Sequence, residues 1–74
     1  MVDPVDLDLQ LESRDAARVL AELHPREARY LTLLIAGYSY RDIQQLEGVT
    51  RTAVNRYVAR ARARVHEMRA QGRI

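Results

Sequence analysis

The sequence predicts an all-α fold: a small four-helix domain in which a short helix, a tight turn and a long last helix end the chain. Three observations predict it. Apolar residues recur at three- and four-residue spacings from Ala16 onward, the period of helices with one buried face. Helix-start and helix-stop residues punctuate those runs. With 74 residues and no cysteine, the chain has no disulfide framework or thiolate metal site, so packing must hold it together. Hydrophobic residues make up 47% of it, enough for one modest core.

Residues 1–12 stand apart. Val5, Leu7, Leu9 and Leu11 alternate with Asp6, Asp8, Gln10 and Glu12, the period of a strand. A lone strand in a helical chain has nothing to pair with. The expectation is an acidic, flexible arm at 1–12 ahead of a domain at 13–74; the alternative is that the arm docks on a partner or on its own helices.

The helices follow in order. Ser13 is expected to cap a helix over 14–23, with Val19 beside Ala16, Leu20 and Leu23 on one face. His24-Pro25-Arg26-Glu27 reads as a second start, His24 capping, Pro25 in first position and Glu27 in the first turn. That helix carries Ala28, Leu31, Leu34 and Ile35, widened by Tyr30 and Leu33, and Gly37 suits a left-handed stop. Ser39 and Asp42 form a capping box for a short third helix through Tyr40, Ile43 and Leu46, broken at Gly48. Thr50 caps the last helix, 51–70, whose Val54, Val58, Ala61, Val65 and Met68 make one apolar seam. Opposite the seam lie Thr52, Asn55, Arg56, Ala59, Arg60 and Ala63, with Arg62 and Arg64 on the flanks.

Charge sharpens the picture of that last helix. The net charge of +2 hides a split. Residues 1–37 hold seven acids and four bases, net −3, whereas residues 38–74 hold three acids and eight bases, net +5. All the cations are arginine, a fork-shaped donor that matches phosphates and guanine edges. The longest apolar run, Leu33 to Ala36, is far too short to span a membrane. A cytoplasmic location is expected. The sequence pairs no nucleophile with a base, sets His24 and His66 far apart, and has no phosphate loop, so no enzyme, metal or cofactor is expected.

Tyr40 to Val58 form a helix-turn-helix pattern. Ile43 and Leu46 are expected to anchor its first helix, Gly48 to take the turn, Val49 to plug the corner, and Val54 and Val58 to seat the second helix.

Residues 24–65, HPREARYLTLLIAGYSYRDIQQLEGVTRTAVNRYVARARARV, resemble the fourth conserved region of bacterial sigma factors. The matching positions are Pro25-Arg26-Glu27, Gly37, Ser39, Asp42-Ile43, Gly48-Val49-Thr50, Val54 and Arg60-Ala61-Arg62-Ala63-Arg64. The Arg-Ala tail favours sigma factors over the related LuxR-type domains. Two positions depart from the family pattern: Gln44 where a small Ala is usual, and Glu47 where Leu is common, with Leu46 expected to take its place. The resemblance implies major-groove binding at promoter −35 elements and contact with the β flap of RNA polymerase, in the setting of a bacterial or phage nucleoid. The chain has no room for the sigma region that melts the −10 element, so a stand-alone region 4-like regulator is expected.

The leading expectation is a sequence-specific regulator of transcription bound to double-stranded DNA, with recognition helix 51–64 in the major groove. Arg51, Thr52, Asn55 and Arg56, on its first turns, are the expected base readers, Arg56 suiting guanine and Asn55 adenine. Ser39, Tyr40, Arg41, Thr50, Arg60 and Arg62 are the expected phosphate contacts, Tyr40 being equally suited to the core. Tyr30 and Tyr57 are read as packing residues. Val65 and Met68 either pack on the first helix or pair two chains, leaving monomer and homodimer open. The competing readings are a protein-interaction module for RNA polymerase or another regulator, and a LuxR-type dimeric DNA-binding domain.

Overall fold

In the computed structural model, residues 11–74 are described. They form four helices: α1 (Ser13–Glu22), α2 (Pro25–Ile35), α3 (Tyr40–Glu47) and α4 (Arg51–Ala70). Nearly all of the acidic arm expected at 1–12 lies outside the described residues. No described helix is long and apolar enough to cross a membrane.

α4 is the spine. Its seam residues Val54, Val58, Ala61, Val65 and Met68 are all at most 1% exposed. α2 packs most extensively against it, α3 next, and α1 closes over both α2 and α4. Val19 of α1, Tyr30, Leu31 and Leu34 of α2, and Ile43 of α3 complete the core with Leu23. No polar or charged side chain among the described residues is buried. Each large apolar side chain fully removed from water contributes about 1.5–3 kcal/mol, so this cluster is what holds the helices together.

The expected boundaries need small corrections at α1. The helix begins at Ser13 itself; Glu12 occupies the cap position and makes no side-chain cap bond. Ser13 is therefore not the cap. At the other end Leu23 has already left the helix and turns its side chain into the core as an extended residue. α2 starts as expected, with His24 Nδ1 accepting from the Arg26 N–H at 3.2 Å and Glu27 Oε1 accepting from the His24 N–H at 3.3 Å. It stops at a Schellman turn, in which the Tyr38 and Gly37 N–H groups donate to the carbonyls of Leu33 and Leu34.

Two apolar residues expected inside are outside. Ile35 is 49% exposed, because the buried arc of α2 centres between Tyr30, Leu31 and Leu34 and leaves Ile35 roughly a quarter-turn away. Leu46 is 57% exposed and does not anchor α3. Glu47, four residues after Ile43, takes the side of α3 nearer α2 instead. Its side chain is only 14% exposed and accepts an ion pair from Arg29 Nε at 2.5 Å. A charged pair thus joins α3 to α2 at the position where Leu is common in the family pattern.

Ile43→Ala should destabilise the domain by about 2–5 kcal/mol, while Leu46→Ala should change stability by no more than about 0.5 kcal/mol. Urea unfolding followed by circular dichroism checks the contrast; equal losses would mean that Leu46 is also an anchor.

Candidate nucleic-acid interface

The turn between α3 and α4 is built from backbone chemistry. At the start of α3 the Ser39 N–H donates to Asp42 Oδ2 at 2.9 Å and the Asp42 N–H donates to Ser39 Oγ at 3.1 Å, a complete capping box. The Ser39 backbone N–H, and then its hydroxyl, hold the Asp42 carboxyl below its ordinary range. At the end of α3 the chain passes through Gly48 at φ +65°, a left-handed conformation that strains any residue with a Cβ. The N–H groups of Gly48 and Val49 both return to the Gln44 carbonyl. Half-buried Val49 packs against the core, filling the corner as expected. Thr50 then caps α4, its Oγ1 accepting from the Ala53 N–H at 3.1 Å.

That geometry decides which way α4 faces. With Val54 and Val58 sealed in the core, Thr52, Asn55, Arg56, Ala59, Arg60 and Ala63 all lie exposed on the opposite side. The four expected base readers, Arg51, Thr52, Asn55 and Arg56, are exposed on the first turns of α4. Arg51 has an aromatic partner among the described residues: its guanidinium lies 5.5 Å from the ring centroid of half-buried Tyr40. Tyr40 opens α3 and Arg51 opens α4, so this stack ties the two helix starts together. Ser39, Arg41 and Thr50 are exposed around the same two starts.

Further along α4 the arginines divide. Arg60 is exposed and stands 5.9 Å from the Tyr57 ring centroid. Arg62 is half-buried on the flank. Arg64 is drawn to the other end of the domain, where Glu22 of α1 holds it at 3.0 Å. Val65 and Met68 are 0% and 1% exposed within a single chain, packed in the core that α1 covers.

One cluster escaped the sequence reading. Tyr57 rests edge-on against buried Tyr30, with centroids 5.4 Å apart and planes at 84°. Its hydroxyl accepts from Arg26 Nη1 at 3.4 Å, and the Arg26 guanidinium lies 5.4 Å from the same ring. Tyr57 therefore holds two exposed cations, Arg26 from the first turn of α2 and Arg60 from α4, on one shoulder of the domain. The Tyr57–Arg60 spacing is a local helical signal. Arg26 is 31 residues away in sequence, and nothing local points to it.

The family described as sigma-70, region 4 matches residues 13–65, which takes in α1, α2, α3 and most of α4. The chain belongs to the sigma-70 region 4 family. Neither the curated proteins nor the solved structures give a match. Region 4 is a DNA-binding helix-turn-helix domain, and the all-α fold and the exposed polar face of α4 fit that role. Within this region 4 domain the helix-turn-helix is α3, the Gly48 turn and α4. The segment from His66 to Ile74 lies beyond the family match.

Ser39→Ala should cost about 1 kcal/mol by removing the cap on Asp42, measured by thermal unfolding. Because the folded Asp42 pKa is lowered from 3.8, its contribution is present above that value and lost as the pH falls through the lower folded value. Asp42→Asn should therefore flatten part of the acid limb of the stability curve while leaving its shape near neutral pH unchanged; an identical acid limb would remove Asp42 from it.

Proposed function

We propose that this region 4 domain reads a specific duplex DNA sequence by laying the first half of α4 in the major groove, as at a promoter −35-like element. The observation that carries this reading is the two-sidedness of α4: hydrogen-bonding side chains are exposed on one side while the seam directly behind them is sealed. A reading head needs such backing, since a base contact is worth its discrimination only when its position is fixed.

In this reading Thr52, Asn55 and Arg56 contact base edges, Arg56 suiting guanine O6 and N7 and Asn55 adenine N6 and N7. Arg51 is aimed from its stack on Tyr40. Ser39, Tyr40, Arg41 and Thr50 meet the backbone at the two helix starts, and Arg60 and Arg62 follow it along α4. Arg26 joins this group through Tyr57, extending the phosphate-contacting surface onto α2. Burial of Val65 and Met68 within one chain favours a monomer on an asymmetric site over a LuxR-type dimer on a palindrome.

A second reading, contact with the β flap of RNA polymerase, is supported by three large apolar residues left exposed, Ile35, Tyr38 and Leu46, none of them on α4. The two readings are compatible in one domain. Selection of bound duplexes from a random pool tests the first: an enriched asymmetric sequence supports it. No enrichment, together with co-purification of polymerase, would make this a protein-interaction module.

On the selected sequence Arg56→Ala should weaken binding by about 1–3 kcal/mol and relax preference at one base pair. Arg26→Ala and Arg60→Ala should each weaken specific and random duplexes alike and reduce the salt slope of log K by about 0.9. Measurement by fluorescence anisotropy across a salt series separates the two behaviours.

A further inference from the structure

Beyond the family match α4 continues to Ala70, and the last four residues turn back toward α1. After Ala70 the chain makes a second Schellman turn: Gly72, at φ +70°, and Arg73 donate their N–H groups to the carbonyls of Arg69 and Met68. The reversal lets Ile74 pack on the core and brings Arg73 to Glu22, the last residue of α1. Glu22 Oε2 takes the Arg73 guanidinium, Glu22 Oε1 takes Arg64 Nη2 at 3.0 Å, and Arg18 Nη1 donates to the Arg73 carbonyl at 3.2 Å. Arg64 Nη1 also reaches Glu67 at 3.0 Å. One carboxylate, with its side chain only 26% exposed, thus gathers two arginines that are 42 and 51 residues away.

Arg64 is the last cation of the Arg-Ala tail that begins on the proposed DNA face. It lies about one turn beyond Arg60, on the flank of α4 that adjoins Arg60, from which a guanidinium released from Glu22 would swing toward a DNA backbone. We propose that Glu22 sets the far edge of the DNA-binding surface: by holding Arg64 against α1 it withholds one phosphate contact, and so limits sequence-independent affinity. The proposal rests on the DNA-binding reading above. The chemistry is competition between two anions for one guanidinium. A phosphate contact carries no sequence information, so each one withheld lowers affinity for every duplex and leaves discrimination among bases intact. Glu67 alone is a weaker holder, since it is 53% exposed and pairs with Arg64 along one helix face.

Salt titrations of binding to a random duplex test this with wild type, Glu22→Gln, Arg64→Ala and the double variant. Glu22→Gln keeps the side-chain volume and an acceptor oxygen, and thermal unfolding of each variant establishes that it is folded. Glu22→Gln should steepen the slope of log K against log salt by about 0.9, roughly a threefold additional change in affinity between 50 and 200 mM salt. Arg64→Ala should leave the wild-type slope unchanged but return the Glu22→Gln slope to the wild-type value. Arg73→Ala supplies an independent arm: it should lower the unfolding temperature yet leave the slope alone, because Glu22 still holds Arg64. Equal slopes for wild type and Glu22→Gln, or a shallower slope for Arg64→Ala alone, would overturn this role of Glu22 and leave the DNA-binding reading standing. Absence of any salt-dependent binding by the wild type would overturn both.

Discussion

Everything in this domain depends on the burial of one side of α4. Five residues spaced by alternating fours and threes, Val54, Val58, Ala61, Val65 and Met68, are removed from water against the other three helices. A helix committed on one side over that length cannot rotate without exposing large apolar area. The polar side is therefore presented in one orientation, and Thr52, Asn55 and Arg56 are displayed by a rigid element. The same burial uses Val65 and Met68 within the chain, where α1 covers the far end of the seam.

The loops serve that arrangement through backbone hydrogen bonds. Each helix stop after α1 reverses through a glycine that returns its neighbours' N–H groups to carbonyls of the last turn. Each helix start after α1 has a side-chain cap, from His24, Ser39 or Thr50. With the helix ends satisfied locally, the turn between α3 and α4 is short, Gly48 makes its reversal, and the Arg51–Tyr40 contact links the two helix starts. Charge is then distributed over a frame already fixed. Arg29 bonds Glu47, Arg64 and Arg73 bond Glu22, and Arg26 and Arg60 gather about Tyr57.

Much of this was legible in the chain. The seam of α4, the capping box of Ser39 and Asp42, the Gly37 and Gly48 stops and the Thr50 cap are all local patterns, each specified within a few residues. Where local reading failed, a partner distant in sequence was responsible. Leu46 looked like the anchor beside Ile43, but Arg29 on α2 makes the neighbouring Glu47 the inward residue. Ile35 continued the apolar run of α2, yet it sits about a quarter-turn off the arc that Tyr30, Leu31 and Leu34 bury against the other helices. Ser13 had the composition of a cap but stands one residue inside the helix that Glu12 precedes. Tyr57 was read as packing, which its contact with Tyr30 supports, while its link to Arg26 depends on how α2 crosses α4.

The sequence by itself determined the all-α class, the order of the four helices, the helix-turn-helix and the side of α4 that faces out. Periodicity and capping act over one or two turns, and their outcome is written in adjacent residues. Tertiary structure alone decided which arginines remain on the exposed face. All twelve are equivalent as residues, and only the crossing of α1 and α2 over α4 puts Glu22 beside Arg64 and Tyr57 beside Arg26. An ion pair requires two groups within a few ångströms, and across 31 or 42 residues that proximity is a property of packing.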